Sequence, residues 1–300
     1  MATLFDKLGG ILKDPPPDFV FEITEEGIAW ARPAAGTPPG FAPLESGILN
    51  VSPLSDNVLK PDALADKIRS ITAGAGGGRK RGTAVIILPD YAARVAVLGF
   101  DMFPTDPREQ LSLVRFRMKK SVPFDVESAV VGYHAQSAGK NKTECVVAVA
   151  ALEIVARYEA AFRAAGLQPG WVTTASMAMV ELLPEKGVSV LTRLSGRYLS
   201  VIVANGQVMR LVRTVELTEV TPDEMMGVLF PTLAFVEDEM GGTADRIYFV
   251  GFDAAGRLPD WVSELQVPAE TLRSRFGAPG ASNAGLLGYL ESAGKGVKAA

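Results

Sequence analysis

The sequence predicts an α/β protein built from two lobes. Its 300 residues, of which 48% are hydrophobic, are enough to form two separate cores. A buried-strand pattern over Glu144–Ala150 runs directly into a helical pattern over Ala151–Ala165, which is typical of αβ units. Both halves begin with a pair of strands followed by helices. This shared order suggests an ancient duplication, although the two halves show no sequence repeat.

The composition excludes several classes of protein. The net charge of −4 and the pI of about 5.3 argue against broad nucleic-acid binding, which needs cations to displace counterions. With one cysteine, Cys145, and one histidine, His134, neither a disulfide nor a Cys/His metal site is expected. No apolar run reaches the roughly 18 residues that a membrane-spanning helix needs, and the N-terminus lacks the organisation of a signal peptide. We therefore expect a cytoplasmic protein.

The first 18 residues form a segment of their own. Leu4, Leu8, Ile11 and Leu12 fall on one face of a helix predicted over residues 2–12, although Gly9-Gly10 weakens it. A proline run up to Asp18 follows as a rigid spacer. The helix would dock on the body, fray, contact a membrane surface or bind a partner.

The remaining elements follow from hydrophobic periodicity and turn residues. In the first half, strands are predicted over Phe19–Thr24, Gly27–Ala31, Thr83–Leu88 and Arg94–Leu98, helices over Lys60–Ile71 and Pro107–Ser121, and a loop from Pro33 to Gly47. In the second half, strands are predicted over Val188–Leu194, Tyr198–Ala204, Gln207–Val215 and Arg246–Val250, and helices from Thr221 through Met240 and over Asn283–Glu291. Asn205-Gly206 predicts a tight hairpin, and Pro231 predicts a kink in the helix that follows Thr221.

Enzymatic motifs were not found. The stretch around Gly139-Lys140 lacks the first glycine and the Ser/Thr of a P-loop, and Gly74–Gly78 follows a helix instead of a strand. No Gly-x-Ser-x-Gly elbow occurs. Cys145 lies in a buried-strand pattern and is interpreted as a small hydrophobe, and His134 as a structural or surface residue.

Several phrases in the middle of the chain resemble the PilM family of bacterial type IV pilus machines, a branch of the actin-like ATPase superfamily. The helix that ends in Lys119-Lys-Ser-Val-Pro-Phe-Asp-Val-Glu127 is similar to the family's helix and Pro-Phe turn. The strand Glu144–Ala150, the helix from Glu153 to Tyr158, the Ala-Gly-Leu turn in Ala164–Pro169 and the small residues Thr174–Ala178 follow in the family's order. The resemblance runs from about residue 19 to 290.

The resemblance implies a two-lobed actin-like (ribonuclease H-like) fold with mixed sheets flanked by helices. We expect the N-terminal segment over residues 1–18, a first lobe over residues 19–182 with a small subdomain inserted at about residues 83–150, and a second lobe over residues 183–300.

In the resembling superfamily, two Gly-rich hairpins hold ATP while an acid in each orients Mg²⁺ and water. The matching positions here form a degenerate nucleotide cleft: Glu22, Thr24, Glu25, Glu26, Arg193, Ser195, Gly196, Gly251 and Phe252. Thr24 replaces a glycine, Glu25 and Glu26 would repel phosphates, Arg193 replaces an acid, and the Phe252 ring would fill the space of the base. We therefore expect a pseudo-ATPase, with no catalytic residues, no metal and no cofactor.

The resemblance also implies a partner: in this family a groove beside the subdomain with the Pro-Phe turn binds the cytoplasmic N-terminal tail of PilN, an inner-membrane protein. The matching residues are Leu111, Val114, Met118, Val122, Pro123 and Phe124. They would alternatively pack the subdomain's core. A basic patch of Arg115, Arg117, Lys119 and Lys120 would attract an acidic tail or the inner-membrane surface, or be a solvated helix face.

We therefore expect a non-catalytic cytoplasmic scaffold of a pilus or related secretion machine, held at the inner membrane through its partners. The alternatives are an active actin-like ATPase, the cytoplasmic part of a GspL-like type II secretion protein and a filament-forming actin homologue.

Overall fold

The computed structural model describes residues 16–75, 82–137, 142–252 and 258–298. The predicted helix over residues 2–12 lies outside them. The strands are, in chain order, β1 (Phe19–Ile23), β2 (Gly27–Ala31), β3 (Gly40–Pro43), β4 (Gly82–Leu88), β5 (Arg94–Phe100), β6 (Val130–Ser137), β7 (Thr143–Ala150), β8 (Leu167–Thr174), β9 (Val188–Ser195), β10 (Tyr198–Asn205), β11 (Val208–Glu216), β12 (Arg246–Val250) and β13 (Ala269–Thr271). The helices are α1 (Pro61–Gly74), α2 (Pro107–Met118), α3 (Leu152–Ala164), α4 (Ala175–Met179), α5 (Pro222–Met240) and α6 (Ala284–Lys298).

The two large sheets share one design. The first has the order β3-β2-β1-β4-β8 and the second the order β11-β10-β9-β12-β13. In each, three strands form an antiparallel meander, and the first of these strands then pairs in parallel with a strand that follows a helix. The predicted α/β fold with two lobes and mixed sheets is confirmed. The matching strand orders of the two sheets agree with a duplication, although the two halves show no sequence repeat.

Helices cover both faces of the first sheet. Side chains alternate along β1, so Phe21 and Ile23 pack against α1 and α3 while Val20 faces α4 and α6. Helices α4 and α6 cross closely, and glycine at position 288 makes this possible. A Cβ added there would lie 2.1 Å from the carbonyl oxygen of Ala178. This crossing brings the first turn of α6 to the face of β1 that also carries Glu22.

The second sheet packs α5 on one face. Thr221 caps this helix by accepting a hydrogen bond from the Glu224 N–H at 3.4 Å, and Gly241 ends it in a left-handed conformation (φ 69°). Pro231 lies inside the helix as predicted. Leu229 and Val236 bury its inner face against the sheet.

A third sheet, of order β5-β7-β6, packs against the second sheet. Helix α2 packs on one face, and the other face contacts the second sheet through Val95 and Val146. The ion pair of Arg210 and Glu144, at 2.9 Å, also joins β11 to β7.

Some boundaries differ from those predicted. The subdomain predicted from about residue 83 begins at β5, because β4 pairs in parallel with β1 and belongs to the first sheet. The predicted loop from Pro33 to Gly47 contains a 3-10 helix (Pro33–Ala35) and β3, and the helix predicted to reach Ser121 ends at Met118. Strands β6 and β8 were not predicted. Within the described part of the chain, no helix is long and apolar enough to cross a bilayer.

Candidate functional site

A buried cluster of three charged side chains joins the two lobes. The guanidinium of Arg193, in β9, contacts the carboxylate of Glu22, in β1, and lies 3.5 Å from an oxygen of Asp90. These side chains are 3%, 0% and 5% exposed. Strand alternation places Glu22 and Arg193 on the faces of their sheets that meet between the lobes. We call this cluster the Glu22–Arg193–Asp90 triad.

Glu22 is held on both carboxylate oxygens. Its Oε1 contacts Arg193, and its Oε2 accepts the backbone N–H of Leu286 at 2.7 Å. Leu286 lies in the first turn of α6, where N–H groups have no partner within the helix and the helix dipole favours an anion. Burial raises the pKa of Glu22, while Arg193 and the Leu286 N–H act in the opposite direction.

Asp90 is equally well satisfied. Its Oδ1 accepts the backbone N–H of Ser176 at 2.6 Å, and its Oδ2 accepts the hydroxyl of Ser200 at 2.8 Å as well as the contact from Arg193. Ser200 in turn lies 3.1 Å from the hydroxyl of Thr214. Both carboxylates of the triad are thus held by partners within the protein.

Arg193 also binds the loop that precedes α6. Its Nε donates to the carbonyl oxygen of Ala281 at 3.1 Å, and its Nη2 contacts the same oxygen. Chemically, the cluster is an internal salt bridge in which each carboxylate oxygen already has at least one partner within the protein. Among the described residues, no group of three or more His, Cys, Asp or Glu side chains is placed to hold a metal.

The other predicted cleft residues on the first hairpin contact neighbouring loops. Thr24 donates to the carbonyl oxygen of Gly27 at 3.1 Å, so it closes its own turn. Glu25 accepts the backbone N–H of Val51 at 2.6 Å, and Glu26 accepts the hydroxyl of Ser282 at 3.0 Å. Both carboxylates therefore hold neighbouring loops, that of Val51 and that of Ser282.

The predicted cleft residues of the second lobe other than Arg193 are not members of the triad. Ser195 is the last residue of β9 and pairs with Tyr198, and Gly196 lies in the turn between them in a left-handed conformation (φ 58°). A Cβ at Gly251 would lie 2.2 Å from the carbonyl oxygen of Leu194, so this position excludes side chains. The Phe252 ring packs at 5.0 Å from that of Phe249, against the core of the second lobe.

The residues predicted to bind a partner tail mostly pack the subdomain itself. Val114 and Met118 are fully buried, and Val122 is buried with them between α2 and the third sheet. Leu111 and Phe124 are half-buried, and Phe124 packs against the same core. Only Pro123 of the six is exposed. Val114, Met118 and Val122 thus pack the core of the subdomain, which is the alternative that the sequence left open, and the assignment of the more exposed three residues to a partner stays a prediction.

The predicted basic patch also contains both a half-buried residue and exposed residues. Arg115 donates to the carbonyl oxygens of Val126 (3.0 Å) and Ala129 (3.3 Å) and contacts that of Glu127, so it fixes the loop after α2. The Arg117 guanidinium lies 5.2 Å from the centre of the Phe100 ring. Lys119 and Lys120 are exposed. Arg117 is exposed as well, so these two lysines and Arg117 are the accessible cations of the predicted patch.

A groove of about 530 Å³ lies between the first and third sheets. Its walls include β6 and β8, each of which is an end strand of its sheet in the described part of the chain. The lining is largely apolar, and none of the described lining residues is Asp, Glu, Lys or Arg. Residues that line it include Val130, His134, Ala148, Trp171, Val172 and Met177.

A few polar groups also line the groove. The Tyr133 hydroxyl donates to the amide oxygen of Gln110 at 2.9 Å, and both residues belong to the lining. Thr174 is buried, and its hydroxyl has no hydrogen-bond partner in the structure. An apolar groove with a few hydroxyl and amide groups suits an uncharged, extended ligand.

Sequence reasoning missed both Asp90 and the groove. Asp90 follows the buried strand β4 directly, and an acid at the carboxyl end of a parallel strand is a signal that was present but not used. Strand β6 contains glycine and polar residues, and β8 begins with Leu-Gln-Pro-Gly, which is typical of a turn. The groove depends on these two strands.

Comparison with known proteins shows what the fold resembles. No family model and no curated protein matches the chain. Among solved structures, a PilM-PilN type IV pilus biogenesis complex matches with a TM-score of 0.70 and 18% identity, covering 95% of this chain and 99% of that chain. A Bacteroides thetaiotaomicron protein with an actin-like ATPase fold and unknown function matches with a TM-score of 0.55, 10% identity and coverage of 93% and 97%.

A third structure is the cytoplasmic domain of EpsL, an inner membrane component of the type II secretion system of Vibrio cholerae. It matches with a TM-score of 0.52 and 12% identity, covering 94% of each chain. The predicted resemblance to PilM holds at the level of the fold. This chain has the actin-like fold, in a form similar to that found in the PilM-PilN complex.

Proposed function

We propose that this chain is a non-catalytic adapter of a type IV pilus or related secretion machine, which binds an extended cytoplasmic tail of an inner-membrane partner in the groove between β6 and β8. The observation that carries the proposal is the groove itself. It lies between two strand edges, is largely apolar and has no Asp, Glu, Lys or Arg among its described lining residues. A peptide gains main-chain hydrogen bonds from such an edge and burial from such a lining.

The comparisons support the kind of partner. One similar structure is by its name a complex of PilM with PilN in type IV pilus biogenesis, and another is the cytoplasmic domain of an inner membrane component of a secretion system. A protein of this fold beneath the inner membrane would meet its partner through a tail that reaches the cytoplasm. The adapter would then be held at the membrane by that partner.

The triad supports the non-catalytic part of the proposal. Catalysis of phosphoryl transfer needs carboxylates that are available to hold Mg²⁺ and orient water. In this chain Glu22 and Asp90 are instead occupied by Arg193 and by backbone N–H groups, in a region from which water is excluded. The positive charge that a metal would supply there is already part of the chain.

The exposed lysines extend the proposal to the membrane surface. Lys119 and Lys120 lie just after α2, on the same subdomain whose β6 forms a wall of the groove. Anionic headgroups attract a cation near the surface by up to about 1 kcal/mol each. Charge reversal at both lysines should weaken association with anionic vesicles, whereas unchanged association would remove this element of the proposal.

Calorimetry tests the function directly. The purified chain is titrated with a synthetic peptide from the cytoplasmic N-terminus of a PilN-like protein of the same organism, with a scrambled peptide as control, and separately with Mg-ATP. Binding of the native peptide alone is the expected result. Absence of peptide binding, or binding and hydrolysis of ATP, would overturn the adapter and favour the ATPase.

The similarity to EpsL makes a secretion-system tail the second candidate ligand. The same titration with the corresponding tail of a type II secretion partner separates the two machines. A higher affinity for that peptide than for the PilN-like one would assign the protein to a secretion system instead of a pilus.

A further inference from the structure

The triad is connected to one wall of the proposed peptide groove. Asp90 accepts the backbone N–H of Ser176 at 2.6 Å. Ser176 stands at the start of α4, between Thr174 and Met177, and both of these residues line the groove. Beyond the ladder that pairs β8 with β4, this wall is therefore joined by one buried hydrogen bond to a carboxylate that also contacts Arg193.

The segment that carries Asp90 also leads to the other wall. The 3-10 helix Asp90–Ala92 links β4 of the first sheet to β5 of the third sheet, which carries β6 at its far side. Its flanking residues Leu88 and Ala93 line the groove. Within it, the Tyr91 ring stacks on that of Tyr198 in β10, at 4.8 Å between centroids. Three sheets thus meet at this short helix.

We propose that Arg193 is a positioning residue that sets the shape of the peptide groove from the opposite lobe. The inference rests on the proposed function, because it concerns the regulation of the same groove. Arg193 contacts β1 through Glu22, the loop before α6 through Ala281, and the meeting point of the sheets through Asp90. One planar guanidinium therefore fixes three segments with several donors in defined directions.

Loss of the guanidinium has a definite consequence for the groove. Glu22 and Asp90 would remain as two buried carboxyl groups that had shared one cation, and they would separate, take up a proton or admit water. Each of these responses alters the environment of Asp90. Because Ser176 is bonded to Asp90, the segment that carries Thr174 and Met177 would respond with it.

Hydrogen exchange of the full chain tests this coupling without a ligand. Exchange rates are compared by mass spectrometry for wild type, Arg193→Met and the matched control Arg246→Met. Arg246 lies in β12, beside β9 in the same sheet, and its ion pair with Glu270, at 3.0 Å, is half-exposed. In Arg193→Met, amides of β6 and β8 should exchange about tenfold faster or more, whereas Arg246→Met should leave them unchanged.

Faster exchange confined to β1, β9 and the start of α6 would overturn the proposal, because Arg193 would then be a local structural residue. Asp90→Asn provides a second variant with nearly the same shape, and it decides the question if Arg193→Met does not fold. It should also accelerate exchange in β8 and α4, and wild-type rates there would count against the coupling.

Peptide titration keeps this inference separate from the proposed function. If the PilN-like peptide binds wild type and binds folded Arg193→Met at least about tenfold more weakly, both are supported. If the peptide binds both forms equally, the coupling fails and the adapter stands. If it binds neither while exchange in β6 and β8 still responds to Arg193, the adapter fails and the coupling stands.

Discussion

Glu22 and Arg193 lie 171 positions apart in the chain and form an ion pair whose side chains are 0% and 3% exposed. The pair joins β1 to β9, the strands that hold matching positions in the two large sheets. Each sheet thus contributes one charge from the equivalent strand to the contact between the lobes. A pair in this position is costly to break, since neither partner can be hydrated without opening the structure.

Replacement of Arg193 by methionine should lower the free energy of unfolding by about 3–5 kcal/mol, because two carboxylates are left buried without their cation. Arg197→Met on the same hairpin should cost less than about 1 kcal/mol, because its ion pair is half-exposed. Urea denaturation followed by tryptophan fluorescence measures both. Equal losses would mean that the buried position of Arg193 adds nothing.

The stability of Arg193→Met should also depend on pH. Burial raises the pKa of Glu22, and without Arg193 the opposing effect of that cation is lost, so the pKa rises further. A carboxyl group with a raised pKa in the folded state stabilises fully below its unfolded pKa, and this contribution is lost as pH rises through the folded pKa. The variant should therefore lose more stability than wild type as pH rises above the ordinary pKa of a glutamate.

The double variant Glu22→Gln/Arg193→Met identifies the group responsible for this slope. An amide does not titrate in this range, so the extra pH dependence should disappear in the double variant. If the slope persists, another group causes it, and Asp90 is the first to examine because it shares the same cation.

Val130→Asp should weaken binding of the PilN-like peptide by at least about tenfold, because a carboxylate would enter a largely apolar groove. Val220→Asp is the matched control, since Val220 is similarly exposed (49% against 40%) and does not line the groove. Calorimetry of both variants gives the two dissociation constants. An equal effect of the two substitutions would place the peptide elsewhere.

Arg115→Met should destabilise the protein by about 1–3 kcal/mol, since the carbonyl groups of Val126, Glu127 and Ala129 lose their donor. Lys119→Met, four positions further on, should change stability by no more than about 0.5 kcal/mol because Lys119 is exposed. Thermal unfolding of the two variants distinguishes a structural arginine from a surface cation. A wild-type Tm for Arg115→Met would show that Arg115 is a surface cation and not a structural residue.

Cys145 should be unreactive in the folded protein. It is fully buried, and burial raises the pKa of its thiol to about 11, so roughly one molecule in a thousand carries a thiolate at pH 8. Reaction with a coloured disulfide reagent should be slow in buffer and rapid in denaturant. Rapid labelling under native conditions would show that β7 opens easily.

Much of the fold could be predicted from the sequence because its strands carry strong local patterns. The buried strands β1, β4, β9, β10 and β12 are dense in branched and aromatic residues, and Thr221 caps the helix as predicted. The hairpin turn lies at Gly206-Gln207, one residue later than predicted, because Asn205 pairs with Val208. Edge strands carry weaker signals, because one side of each faces solvent and admits glycine, proline and polar residues. Both walls of the groove are of this kind.

The site was harder to predict than the fold. The sequence singles out Arg193 as a departure from a nucleotide-binding pattern and Glu22 as a residue of the same degenerate cleft, but periodicity along a chain does not show that two such residues meet. The apolar stripe of α2 illustrates the reverse problem. Val114 and Met118 have the spacing expected both for a groove that binds a partner and for the core of the subdomain. Only the position of the third sheet shows that they belong to the core.

A cation that belongs to the chain behaves differently from one that is bound. A metal or nucleotide occupies its site according to its free concentration, so dilution, chelation or a fall in supply empties the site. The guanidinium of Arg193 is present at one copy per molecule under all of these conditions and keeps its charge at any physiological pH. The ion pair between Glu22 and Arg193 therefore forms without any bound metal or nucleotide, and its lifetime depends on the stability of the folded chain.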